Sequence, residues 1–228
     1  MDLQNCIQLA AAGKNIDIYP CAVPDRPVIY FNTVSEEKES VLEELKKTDC
    51  PDFSLVAISN LEWTHDMSPW DIPPISPGDT PCTGGADTYL SLFINEIIPK
   101  VEKNIKGVSR RGITGYSLAG LFALYSMYRT DLFSLIASIS GSLWFPGFQE
   151  YAMSHEPKKR PECVYISLGD RECKTKNPYL RSVQANTEAL VDFYRRQQID
   201  TEFRLNPGGH FTEPARRTAM GIRWLVTS

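Results

Sequence analysis

Short runs rich in β-branched residues alternate with longer helical stretches along nearly the whole chain. That alternation restricts the fold more than any other feature of the sequence. "CIQLAA" and "NIDIYP" predict a first pair of strands joined by a turn at Gly13-Lys14. "PVIYFNT" (27–33), "FSLVAIS" (53–59), "RGITGY" (111–116), "LIASISG" (135–141), "CVYISLG" (163–169) and "TEFRLNP" (201–207) predict further strands. Between them lie helical patterns. Residues 35–47 have Ser35 as N-cap and Lys46-Lys47 at the end where the helix dipole favours cations. In 86–105 the apolar positions Leu90, Phe93, Ile94, Ile97, Ile98 and Val101 recur at three and four, and Pro99 predicts a kink. "LAGLFALYSMYR" follows Ser117, 177–197 is helical after Pro178, and 213–226 carries Pro214 in its first turn. No internal repeat interrupts the pattern. The expectation is one α/β domain over residues 1–228, with a mostly parallel central sheet flanked by helices and no separate lid domain. In such sheets, sites form just beyond the carboxyl ends of the strands.

Composition narrows the classes of partner. The chain has 228 residues and a net charge of −4, and "PKKRP" (157–161) is a short, proline-bracketed basic run. Phosphate backbones need clustered positive charge, so no nucleic-acid partner is expected. No apolar run approaches the roughly 20 residues that span a bilayer, so no membrane is expected. The N-terminus lacks the basic start of a signal peptide, which points to the cytoplasm. The six cysteines, Cys6, Cys21, Cys50, Cys82, Cys163 and Cys173, include no C-x-x-C pair. They are expected to be free thiols and not zinc ligands or a disulfide framework.

Ser117 sits where the predicted sheet meets a helix, in Gly115-Tyr116-Ser117-Leu118-Ala119-Gly120. A hydroxyl aimed above a sheet needs a tight strand-to-helix turn, which brings the residues at −2 and +2 together and requires both to be small. The known pattern is G-x-S-x-G, and here Ala119 replaces the second glycine. The helix behind Ser117 offers unpaired N–H groups, so Leu118 N–H is a candidate donor to an oxyanion. The alternative is a serine that only caps the helix.

A serine hydroxyl needs a base within hydrogen-bond reach, and the chain has three histidines. His155 lies in a polar loop, and His65 lies in the long irregular stretch 60–85, where a role in the loop itself is expected first. His210 follows the last strand, after the sharp turn of Pro207, Gly208 and Gly209, and is the candidate base. A carboxylate past the preceding strand would fix its tautomer. "LGDRE" offers Asp170 and Glu172 there. Glu172 is preferred because it clears the Gly169 turn, and Asp170 stays open as the alternative. The order Ser, acid, His is that of α/β-hydrolases.

Taken together, "GYSLAGLFALY", "GGADTYLSLFINEIIPKVE", "ISGSLWF", "LGDRE" and "GGHF" resemble the putative-esterase (esterase D-like) family of α/β-hydrolases. The resemblance runs from about Val28 to the C-terminus. It implies a Ser-acid-His hydrolase using no metal and no organic cofactor. It also implies a second oxyanion donor just after the third strand, for which Val34 N–H comes first and Thr33 next. The family usually carries a glycine there, where this chain has Asn32-Thr33. Trp63, Trp70, Trp144 and Phe145 are candidates for an aromatic substrate wall. Arg110, Arg111, Arg171, Lys174 and Lys176 matter to substrate only if they surround the pocket mouth.

The leading expectation is a carboxylic-ester hydrolase acting on a small-molecule ester, with a homodimer an allowed assembly. A siderophore lactone or a thioester is the alternative substrate within the same mechanism. A non-catalytic binding domain that retains the fold is the alternative from another class.

Overall fold

Successive strand residues face opposite sides of a sheet, and this alternation builds the core on both sides here. In the computed structural model, residues 5–34 and 37–228 are described. The predicted Ser35 N-cap lies outside them. Val28, Tyr30, Ile113, Ile136, Val164 and Ile166 point to one apolar layer. Their neighbours Ile29, Phe31, Leu135, Ala137 and Tyr165 point to the other. Both layers are covered by helices, as parallel sheets require.

The strands are β1 (Ile7–Ala11), β2 (Lys14–Tyr19), β3 (Arg26–Asn32), β4 (Ser54–Ser59), β7 (Val108–Tyr116), β8 (Leu135–Ile139), β9 (Cys163–Gly169) and β10 (Asp200–Asn206). They form one eight-stranded sheet in the order β1-β2-β4-β3-β7-β8-β9-β10. From β4 to β10 every neighbouring pair is parallel. The β1–β2 and β2–β4 pairs are antiparallel. This is the expected mixed α/β fold with a mostly parallel sheet.

Helices α1 (Glu37–Lys46) and α9 (Pro214–Thr227) cover one face, contributing Val41, Leu42, Leu45, Ile222 and Leu225 to its core. Helix α5 (Leu118–Arg129) lies in the other layer and is buried from Leu118 to Tyr128. Such an all-apolar helix belongs inside a protein. After the short α7 (Pro178–Arg181), helix α8 (Val183–Arg196) joins the same apolar layer through Leu190, Val191 and Tyr194. The 86–105 pattern resolves into α3 (Ala86–Leu92), a π turn (Phe93–Ile97) and α4 (Ile98–Glu102). Pro99 cannot donate to the carbonyl four residues back and clashes with it, and the wider π turn absorbs that conflict.

The irregular stretch 60–85 is ordered by specific contacts. It contains α2 (Trp63–Asp66) and a small ribbon of β5 (Asp71–Ile72) with β6 (Cys82–Thr83). Buried Lys14 pairs with Asp66, and Asp66 also accepts the Glu62 N–H at 2.8 Å. Asn177 Nδ2 donates to Ile75 O at 2.8 Å and to Ser76 Oγ at 2.9 Å, tying the stretch to the segment after β9. Besides α2, a second helix escaped the sequence reading: α6 (Phe148–Ser154) follows Pro146 and Gly147 in what reads as a loop.

Candidate active site

β7 ends at Tyr116 and α5 starts at Leu118, so Ser117 alone makes the turn. Its backbone takes φ 58° and ψ −122°, a conformation that costs a non-glycine residue about 1–3 kcal/mol. Surrounding bonds hold it there. Ser117 N–H donates to Ile139 O at 3.0 Å, and Ser117 O accepts from Gly120 N–H and Ser142 N–H, each at 3.0 Å. The need for small neighbours is visible in the packing. A Cβ on Gly115 would stand 2.4 Å from the Ala119 Cβ and 2.8 Å from the Ala119 carbonyl carbon. Alanine is tolerated at 119 because the residue facing it has no side chain.

His210 rides on the turn after β10. Gly208 takes φ 102° there, and its N–H donates to Asp170 Oδ1 at 2.8 Å. Asp170 N–H in turn donates to Asn206 O, and Arg171 N–H donates to Gly208 O. The loops after β9 and β10 are thus clasped together, and the clasp uses Asp170. Glu172 reaches the imidazole. His210 Nδ1–H donates to Glu172 Oε2 at 2.7 Å, and the Ser117 hydroxyl donates to His210 Nε2 at 3.1 Å. Of the two candidate carboxylates, only Glu172 touches the imidazole.

The Glu172 side chain is 5% exposed. Its Oε1 accepts the Gly169 N–H at 2.7 Å and Arg217 Nη1 at 3.3 Å. Burial pushes its carboxyl up, but the hydrogen bond and charge of His210, with the Gly169 N–H, more than offset this and hold it below the usual carboxylate range.

Arg217, on α9, is a buried cation that the sequence reading missed. Its side chain is 3% exposed. Besides Glu172, it donates to Ser140 Oγ at 3.1 Å and to Pro207 O at 3.0 Å. It also reaches the Tyr116 hydroxyl, which donates to His210 O. One guanidinium therefore braces the acid, the His210 turn and the last residue of β7. Ser142 was missed as well; its Oγ lies 3.3 Å from the Ser117 Oγ.

For the two oxyanion candidates after β3, the structure separates them. Thr33 N–H is already spent on Ile58 O at 3.0 Å, the next rung after the parallel ladder of β3 and β4, so it cannot serve a substrate. Val34 N–H finds no acceptor among the described residues. The register pairs Asn32 with Gly115, which sets Val34 level with Ser117. Leu118 N–H, the first of α5, likewise finds no acceptor among the described residues. Nearby, burial raises the Glu37 carboxyl, with the Thr33 hydroxyl and the charge of His210 opposing.

The aromatic candidates divide. Phe145 is 1% exposed and belongs to the core, where it meets Trp70 edge-on, so it is withdrawn as a substrate contact. Trp70 is pinned by its indole N–H to Pro146 O at 3.0 Å. Trp63 is half-buried against the same core. Trp144 lines a cavity together with Leu118. His65 bonds Thr83 Oγ1 at 2.8 Å and packs on Gly85, a role in the loop itself. His155 stacks on Tyr151. Arg110 bonds Glu162, and Arg111 bonds Glu102 through two nitrogens, both toward the opposite end of β7 from Ser117. The described cysteines are all free. No helix among the described residues is long and apolar enough to cross a membrane.

A mostly parallel sheet that carries a serine on its central strand-to-helix turn, met by an imidazole and a carboxylate from later loops, is the arrangement found in α/β-type serine hydrolases. The chain belongs to the family described as Putative esterase, whose model matches residues 35–213. A Bacillus subtilis (strain 168) protein, the uncharacterized YbbA, is 26% identical over 172 residues, which are 72% of this chain and 69% of that one. Among solved structures, an IroE-like serine hydrolase from Shewanella oneidensis superposes with a TM-score of 0.81 at 17% identity, over 98% of this chain and 80% of the other. The siderophore hydrolase EstA from Aspergillus nidulans gives 0.80 at 18% identity, over 98% and 94%.

Proposed function

We propose that Ser117, His210 and Glu172 are the catalytic triad of this ester hydrolase. The observation that carries the reading is the continuous hydrogen-bonded line from the serine hydroxyl through both imidazole nitrogens to a buried carboxylate, at 3.1 Å and 2.7 Å. Ser117 Oγ attacks the ester carbonyl carbon while His210 Nε2 takes its proton. Leu118 N–H and Val34 N–H stabilise the oxyanion. The intermediate collapses, the carbon–oxygen bond to the alcohol breaks, and His210 returns the proton to the departing oxygen. Water then attacks the acyl-enzyme, giving up a proton to His210, and Ser117 leaves with that proton as the carboxylic acid is released. Glu172 holds the imidazole with Nδ1 protonated and stabilises its charged form. Asp170 shapes the turn that presents His210.

The six free thiols support work in a reducing compartment, the cytoplasm. A siderophore lactone is the second substrate reading; it is favoured by the fold shared with EstA over 98% of this chain. The test is labelling by a fluorophosphonate and an initial burst of p-nitrophenol from p-nitrophenyl esters. Both are expected in the wild type and absent in Ser117→Ala. Wild-type protein that is folded yet neither labelled nor active refutes the reading.

A further inference from the structure

A cavity of about 250 Å³ reaches the residue that follows the nucleophile; it is walled by Leu118, Trp144, Ile72, Ile75 and Cys82, with Asp79 among its lining residues. Leu118 is the residue after Ser117. Trp144 stands two residues after Ser142, whose hydroxyl lies 3.3 Å from that of Ser117. A larger hollow of about 530 Å³ around His155 and Lys158 shares no lining residue with the triad or with this cavity. We infer that the smaller cavity receives the acyl part of the substrate, and that this part is short, largely apolar and not anionic. The inference rests on the proposed triad and assigns the specificity of the same site.

Three observations carry it. The first is direction. None of the cavity's walls comes from the 207–213 turn that presents His210. The departing oxygen must lie within reach of His210 Nε2 to receive its proton. The alcohol therefore leaves on the histidine side, and the acyl chain faces Leu118 and Trp144.

The second is size. At about 30 Å³ per water-sized group, the cavity holds about eight such groups, enough for an acyl chain of about four to eight carbons. The third is charge. Among the described residues, Asp79 is the only charged one lining the cavity, and no lysine or arginine lines it. A carboxylate on the acyl chain would lose its water and meet no counter-charge, a cost that neutral chains escape. The wall is firm, since Asn177 pins Ile75 and Ser76 through their oxygens.

The experiment is a series of p-nitrophenyl esters from acetate to dodecanoate, with the hemisuccinate as the anionic member. The expected kcat/KM rises by up to about fourfold per methylene as apolar surface is buried. It peaks between butyrate and octanoate and falls for dodecanoate. The hemisuccinate is expected at least about tenfold slower than the neutral pentanoate. Ile75→Trp, which fills the cavity, is expected to move the optimum to acetate while fluorophosphonate labelling of Ser117 persists. Trp144→Ala is expected to move it to longer chains. A flat series, or a hemisuccinate as fast as the pentanoate, with Ser117 still labelled, overturns the acyl-pocket inference and leaves the hydrolase reading standing. Loss of labelling in the folded wild type overturns both.

Discussion

Replacing Glu172 by glutamine and Asp170 by asparagine distinguishes the two carboxylates that the sequence left open. In Glu172→Gln the amide oxygen has one favourable position. The Oε1 site faces the Gly169 N–H at 2.7 Å and the Arg217 guanidinium at 3.3 Å, which are donors only. The oxygen must stay there, so the amide nitrogen faces His210 Nδ1 in the place of Oε2. An NH₂ group can only donate to that nitrogen. The imidazole is forced into the tautomer protonated on Nε2, which cannot accept the Ser117 proton. The corresponding change in a well-studied triad lowers kcat by about 10⁴, about 5.5 kcal/mol of barrier. A drop of about 10³ to 10⁴ is expected here. Asp170→Asn keeps an oxygen for the Gly208 N–H, 2.8 Å from Oδ1 in the wild type, and is expected to lose less than about threefold. The assay is the initial rate on p-nitrophenyl butyrate over a range of concentrations, with thermal unfolding to show that both variants fold. A folded Glu172→Gln within tenfold of wild type refutes the assignment, as does an Asp170→Asn that loses the larger factor.

Three further outcomes are expected. Arg217→Met leaves Glu172 without its buried counter-charge and should destabilise the protein by about 3–5 kcal/mol in urea denaturation, with Arg217→Lys recovering part of it. Gly115→Ala drives a methyl to 2.4 Å from the Ala119 Cβ, and should cost about 1–3 kcal/mol and shift Ser117 enough to lower kcat; unchanged kinetics would contradict the packing account of the turn. Because the Glu172 carboxyl is held below its unfolded value, its share of stability is present above about pH 4.5 and is lost as pH falls through the lowered folded value. Denaturation midpoints from pH 7 to pH 3 should fall less steeply at the acid end for Glu172→Gln than for the wild type.

Strand ends were legible because two independent patterns coincide there. Apolar runs stop, and glycines and polar side chains begin, at Ser117, after Gly169 and before His210. What the sequence could not reveal was geometry across the sheet. Thr33 and Val34 look alike as donors until the ladder to Ile58 claims one N–H. Phe145 and Trp144 are adjacent aromatics, yet one turns into the core and the other into the cavity. Arg217 sits in "EPARRTAMGIRW" beside Arg216, and nothing local distinguishes the buried arginine from its exposed neighbour. The signal that was available is its position, one turn into the helix that follows the His210 loop, where a side chain can reach back under the strand ends.

The brace at Arg217 also makes the held geometry of Ser117, His210 and Glu172 depend on a helix that follows all three in the chain. A nascent chain that has emerged as far as residue 210 already holds the serine, the acid and the imidazole, but the cation that fastens their supports has yet to arrive. Hydrolytic competence should therefore require α9 to be docked, since Arg217 on it bonds both Glu172 and the His210 turn.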